Sequence, residues 1–517
     1  MRYLTLFFTF ILFFSAYSQS DDNSIFYSSD KLSLTPFFNQ ENRAFIIDTN
    51  AFFTNVNYST QYGKAQSFGL KYKQELNPFF DLQLNLIKFS REGLFQNEEI
   101  KNHELDFIFN FTNKSNNYNS TFHFGSEKYL FEENGAILNF DNQSTIDPIL
   151  FPVAFDQASN TGINRYFNYN QSFQLSEKLK FVNQSTYFTK YRVFEDSNPN
   201  FDYYSNIFID SLQTYDSTHF STLYNQLGLN TSYFNFRYLF NRELSSQLAF
   251  DSVFVDHGFS LSSYQILANY SFDADFHYFK SSAYVASLMV NNPDSSLRIH
   301  LLSEQALVSV FTNRYQSNYF QFNSNFINTS NHKALVTYST NRLNFSSTLT
   351  FLDNYIYLNQ DQDFSQNMGR FYHSKSDMSY SWKWGLFNGD HSFTYEHSSN
   401  IDVYRVPKYS LWTDLYINPI LFEESLDLKL GSTVRYFSSF YANAYSPALA
   451  HTYLQDNQLV GDFPFLTVYA KIKIESVNIT FQFANLFDKL SDQSFYITPN
   501  IPYYRSPFQL FVSWQLD

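Results

Sequence analysis

The chain has 517 residues, a net charge of −14 and no cysteine; aromatics make up 21% of it, with 63 Phe and 41 Tyr, yet charged residues are only 16% and mean hydropathy is −0.34. Disulfide and thiol chemistry are excluded, and the acidic balance argues against nucleic acid as a partner. An ordinary soluble domain carries about 25% charged residues and fewer aromatics.

In chain order, the first element is a targeting segment. Arg2, the apolar run Leu4 to Phe14 and the small residues Ala16 and Ser18 read as a signal peptide over residues 1–18. The run is shorter than the roughly 20 residues a membrane-spanning helix needs. Residues 19–48 form a polar leader without periodicity. From 49 to 517 apolar and polar residues alternate with period 2. Leu82, Leu84 and Leu86 alternate with Asp81, Gln83 and Asn85. Leu105, Phe107, Phe109 and Phe111 stand opposite Glu104, Asp106 and Asn110, with Ile108 breaking the pattern. Leu426, Leu428 and Leu430 recur further on, then Val477, Ile479, Phe481 and Phe483, and finally Phe508, Leu510, Val512, Trp514 and Leu516. Codon bias could enrich Phe, Tyr and Asn but would not alternate them.

The predicted fold class is all-β: a transmembrane antiparallel β-barrel of about 22 strands, within a range of roughly 18–24 and even in number. Strands of about 10–14 residues exceed the usual 5–6 and suit a tilted bilayer crossing. Short turns are expected at Asn77-Pro78, Asn113 to Asn117, Ser176 to Lys178, Asn388-Gly389 and Glu475-Ser476, with Asn-Gly the strongest hairpin signal. Long polar loops are expected at Arg91 to Asn102, Phe131 to Gly162, Phe194 to Ser217, Asn359 to Gly369, Phe440 to Asp462 and Lys489 to Arg505. Turns then face the periplasm and loops the exterior; the count of alternating connections slips once, around Leu223 to Val255. A soluble β-sandwich or β-helix is the rival fold.

Motifs for nucleotide binding, α/β-hydrolase or metalloprotease chemistry are missing. Asp390-His391-Ser392 holds triad residue types, but adjacency is not triad geometry. Asp361-Gln362-Asp363 and Glu132-Glu133 read as solvated loop charge rather than Ca²⁺ ligands. No catalytic, cofactor or metal residue is assigned. Function is expected from polar residues facing a lumen, where rings of charge set selectivity: Asp81, Gln83, Asn85, Asp106, Asn110, Asp427, Lys429, Lys471, Lys473, Asn478 and Gln482. The Phe131 to Gly162 loop, with apolar Ile149, Leu150 and Phe151, is the candidate for an inward constriction.

Two stretches resemble a family of large outer-membrane porins of the Bacteroidota type. The first runs from Phe89-Ser90-Arg91-Glu92-Gly93-Leu94-Phe95-Gln96-Asn97 to Glu132-Glu133-Asn134-Gly135-Ala136-Ile137, with Ala136 in place of a second Gly. The second contains Tyr441-Ala442-Asn443-Ala444-Tyr445-Ser446-Pro447-Ala448, Val460-Gly461-Asp462-Phe463-Pro464-Phe465 and Ala484-Asn485-Leu486-Phe487-Asp488. The last of these is also similar to the end of TonB-dependent receptor barrels. The chain closes on Leu516-Asp517, where such barrels usually carry an aromatic residue for the assembly machinery; Trp514 is the nearest.

The expected function is a non-enzymatic, cofactor-free channel in the outer membrane for passive or loosely selective passage of small solutes. Its partners are outer-membrane lipid, the barrel-assembly machinery and the solutes themselves. The alternatives are a TonB-linked active transporter, against which the short leader stands because such receptors carry a plug of more than about 100 residues, and a structural or adhesion barrel. A lipid hydrolase would need a Ser/His pair on the outer wall, and nothing in the sequence selects one.

Overall fold

The computed structural model describes residues 52–61, 64–138, 147–200, 203–204, 206–247, 250–267, 269–421, 426–487, 496–502 and 508–516. The expected signal peptide, the leader and most of the Lys489 to Arg505 loop lie outside them. The chain forms a closed antiparallel barrel of 22 strands, the number expected. A further two-residue strand, Ile420–Leu421, pairs with Leu426–Phe437 beside one turn. The first strand, Phe53–Gln61, starts slightly later than expected. The last, Phe508–Leu516, pairs with Val477–Phe483 on one side and with Phe53–Gln61 on the other. That closure leaves no unpaired edge, which a hydrocarbon solvent could not satisfy.

Alternation builds the two faces. Leu105, Phe122, Phe167, Tyr169 and Phe173 are exposed, while Gln83, Asn85, Asn102 and His123 on the opposite face of the same strands are buried. The buried face is the interior, because Asn160 and Arg192 on it reach Pro447 and Ala448 of a distant loop. Ile108, the break in the alternation, sits on this inner face, 5% exposed. At the short-turn end Tyr233, Phe234, Trp384 and Phe387 are exposed, as an interfacial aromatic girdle requires.

The short turns repeat one device, a side-chain oxygen accepting from the backbone that closes the hairpin. Asn113 Oδ1 accepts from Asn117 N and Tyr118 N, and Asn292 Oδ1 from Leu297 N. Thr231 Oγ1 accepts from Phe234 N and Thr340 Oγ1 from Leu343 N. These residues favour turns because their side chains imitate the backbone partner.

Two expectations need correction. The Asn388-Gly389 pair is not a turn: both lie in the strand Phe387–Ser398, opposite Lys383 and Trp382. The hairpin bends at Gly385-Leu386, with Gly385 at φ 59°. Gly389 serves packing instead, since a Cβ there would lie 2.4 Å from the Trp382 ring. Gly389→Ala is therefore expected to destabilise the barrel by about 1–3 kcal/mol through overpacking, read as an earlier unfolding transition in detergent. The slip near Leu223 to Val255 also has a cause. Thr214–Thr231, Phe234–Gln247 and Phe250–Leu267 are joined by two-residue connections at both ends, so one connection on the long-loop side is short.

Candidate functional site: the loop-built mouth of the barrel

Strands such as Ala158–Ser176 and Leu179–Asp196, 19 and 18 residues long, outreach the membrane crossing and carry the long loops above it. There the loops fold over the barrel mouth and share one apolar core. It gathers Ala136, Ala154 and Phe155 from residues 134–157, Tyr204 from 197–213, Phe311, Tyr315, Tyr319, Phe320 and Phe322 from 307–328, and Ala448 from 438–464, against Ala158 and Phe194 of the wall. Tyr204 is its centre. Its ring stacks on Tyr319 at 4.1 Å and 19°, and on Phe155 at 5.5 Å. Its hydroxyl accepts from Ala448 N at 3.2 Å. Burial pushes the Tyr204 phenol well above its ordinary range and the Tyr319 phenol up to about 12. Both stay neutral in the fold, so the stability tied to them is fully present below the ordinary tyrosine value near 10 and is lost as pH climbs through the raised values.

Polar clamps surround this core. Arg192 Nε donates to Asn160 Oδ1 at 2.8 Å, and its Nη2 donates to Pro447 O at 3.0 Å and Ala448 O at 2.7 Å. Asn160 Nδ2 donates to Glu133 Oε1 at 2.6 Å and to Pro447 O at 2.8 Å, and the Tyr445 hydroxyl donates to Glu133 at 3.1 Å. Asn97 Nδ2 donates to the carbonyls of Glu133 and Ala158 at 2.9 Å each and of Phe155 at 3.3 Å. Glu98 holds the bend before it, pairing with Arg91 and accepting from Leu94 N and Phe95 N. Gly135, at φ 70°, lets Phe155 lie where a Cβ would be 2.4 Å from its ring. Asn318, 2% exposed, ties a hairpin (Arg314–Gln316 and Gln321–Asn323) to the loop below. Its backbone N–H donates to Asp216, and its amide to Asp210 O and Thr214 Oγ1. Tyr355–Leu358, Phe364–Asn367, Ala444–Ser446 and His451–Tyr453 form a four-stranded sheet that joins one further loop to that of residues 438–464.

Three of the sequence segments that carried the family resemblance therefore meet: Arg91 to Asn97, Glu132 to Ile137 and Tyr441 to Ala448 all contribute to this mouth. Of the apolar residues expected to turn inward from the Phe131 to Gly162 loop, only one does so. Phe151 packs with Phe95 and Ile137, but Ile149 and Leu150, expected to turn inward, are 55% and 70% exposed. Those two residues fall in a surface turn, Pro148–Leu150, capped by Asp147. Sequence reasoning missed Arg192, Asn160, Tyr204 and the whole of residues 307–328. Only the aperiodic polar stretch from Arg314 to Ser324 signals that last loop.

All of the predicted wall residues fall on the polar face, in two groups. On Phe80–Arg91 and Ile100–Thr112, Asn110 Nδ2 donates to Asp81 at 2.8 Å and Asn85 Nδ2 to Asp106 at 3.1 Å, next to Gln83. His123 and the Tyr166 hydroxyl also contact Asp106. In the second group, three strands away around the wall, Lys429 Nζ donates to Asp414 at 3.0 Å, and the Tyr469 hydroxyl donates to Asp414 at 2.7 Å. Lys471 lies over the Tyr469 ring at 4.5 Å. Asp427, Lys473 and Asn478 stand side by side in register, and Gln482 donates to Gln509. Asp390-His391-Ser392 lies within a strand, so His391 points away from its two neighbours. It contacts Trp382 Nε1 at 2.8 Å and Thr413 at 3.3 Å. Among the described residues no three His, Asp or Glu side chains are grouped to hold a metal.

The barrel is similar to solved outer-membrane transporters. The FrpB iron transporter from Neisseria meningitidis has a TM-score of 0.62 at 10% identity, over 91% of this chain and 82% of that one. The ferric-catecholate import receptor Fiu from E. coli K12 gives 0.59 at 10%, over 90% and 82%. The copper transporter OprC gives 0.64 at 10%, over 90% and 80%. At such identities the likeness is one of fold. No curated protein sequence matches the chain. A family profile described as "Putative porin" matches residues 12–516, and with the closed barrel it places the chain in that family of outer-membrane porins.

Proposed function

We propose that the protein is a porin-like conduit through which small polar solutes cross the outer membrane, with access governed by the loop core at the outer mouth. The observation that carries this reading is the contrast between a hydrogen-bonded polar inner wall and the apolar, clamped loops above it. Asp81, Gln83, Asn85, Asp106 and Asn110 in one group, and Asp427, Lys429, Lys471, Lys473, Asn478 and Gln482 in the second, then line the path and hydrate the solute. No side chain in this reading does covalent chemistry.

Single-channel recording of the purified mature protein in a planar bilayer tests it. Stepwise currents that scale with salt support a passive conduit. Replacing Lys429 and Lys471 with Gln is expected to move the reversal potential toward cation preference, because two wall cations are removed; an unmoved potential would take these lysines off the path. A second reading, energised import, is supported by the likeness to iron and copper transporters. Silence from folded protein, persisting after the mouth is loosened, would favour it.

A further inference from the structure

The outer wall carries a cationic patch that conduction does not use. Lys88, His103 and Lys128 are exposed on three neighbouring strands and are direct cross-strand partners, Lys88 to His103 and His103 to Lys128. Arg165, exposed on the next strand, pairs with Ser126 one step nearer the membrane. They share the outward face with Leu105, Phe122 and Phe167. With strands about 4.8 Å apart, the patch is about 14 Å wide.

Its height is set by the strand. Eight residues separate Phe80, at the short-turn end, from Lys88. At about 3.3 Å per residue that is about 26 Å along the strand, or about 20 Å of height at a tilt of about 40°. The apolar band of such barrels is about 25 Å tall, so the cations sit within about 5 Å of its outer edge, where a side chain as long as Lys or Arg reaches the headgroups. Below Lys88 the face is apolar down the strand: Leu86, Leu84, Leu82 and Phe80. The outward residues within one step of the patch on these four strands include no carboxylate. In a chain of net charge −14, such segregation of cations over an apolar wall is a local feature. The first carboxylates lie above, at Glu99, paired with Lys101 at 2.6 Å, and Glu132.

We propose that Lys88, His103, Lys128 and Arg165 form a docking site for the phosphorylated headgroup of an outer-leaflet glycolipid, whose acyl chains lie along the apolar face beneath. Charge complementarity commits the site to this occupant. Arg and Lys bind phosphate through charge-assisted hydrogen bonds, and an anion held at this height meets the wall only if acyl chains anchor it there. The role is independent of what the lumen conducts.

The test is native mass spectrometry of the full mature protein in non-ionic detergent, titrated with diphosphorylated lipid A, with the same lipid stripped of phosphate, and with inorganic phosphate. The intact protein is expected to retain the phosphorylated lipid about tenfold more tightly than the stripped one, a difference of about 1.4 kcal/mol. Replacing Lys88, Lys128 and Arg165 with Gln is expected to abolish that preference, and replacing the two lysines with Arg to keep it. Heat-modifiable gel migration verifies that each variant is folded. Equal binding of both lipids, an unchanged preference in the Gln variant, or inorganic phosphate displacing the lipid at equal concentration would overturn the proposal.

Discussion

Arg192→Leu is expected to free the loop spanning residues 438–464 from the barrel wall and to raise single-channel conductance. Arg192 is buried and supplies the donors for two carbonyls of that loop and for Asn160. Leucine fills part of the volume but donates nothing. Glu133 then stays in a buried site with its cationic neighbour gone, Ala448 O loses the Arg192 donor, and Pro447 O keeps only Asn160. Breaking a buried charged network costs about 3–5 kcal/mol. That cost falls on the mouth and not on the barrel, whose backbone ladders do not involve this guanidinium. The expected signature is increased proteolysis within residues 438–464, higher conductance and unchanged heat-modifiable migration. Unaltered conductance with a cleaved loop would mean that the loop does not obstruct the path.

Shortening residues 134–157 to a tight hairpin is expected to have a larger effect on conductance. Glu133 and Ala158 are cross-strand partners, so the loop leaves and re-enters the wall at adjacent points. A two- to four-residue connection can therefore join them without disturbing the strands. What is lost is Phe155, which packs on Tyr203 and Tyr204, together with Ala136 and Ala154. Removing one large buried aromatic costs about 3–5 kcal/mol where the site cannot collapse, and here the neighbours are loops that can only separate. A conductance step several times that of the intact protein is expected; an unchanged step would exclude this loop as the constriction.

The contacts that build the mouth differ widely in how legible they are in the sequence. Glu98 lies near Arg91 in the chain, and its bend was visible as a motif. Arg192 meets Pro447 across 255 positions, and no local pattern distinguishes it from other charged residues in alternating strands. The pair exists because the barrel curls two remote strands around one mouth. Asn388-Gly389 shows the opposite failure. The dipeptide is the strongest hairpin signal among the expected short turns, but Gly385, three residues before Asn388, accommodates the bend, and Trp382 needs the space above Gly389. Ile149 and Leu150 mislead in the same way: apolar character alone did not turn them inward, because Asp147 caps a surface turn at that point.

By itself the sequence determined the barrel. Period-2 alternation over strands long enough to cross a membrane fixes which side chains meet lipid and which meet the interior, and a one-residue slip would invert every face. The even strand number, the polar wall from Asp81 to Gln482 and the sites of most connections follow from that periodicity. Only the tertiary structure decided what stands over the opening. Loops carry no periodicity, so their packing depends on which of them the closed barrel brings together, and there Tyr204, Arg192 and Asn318 find partners that lie far away along the chain.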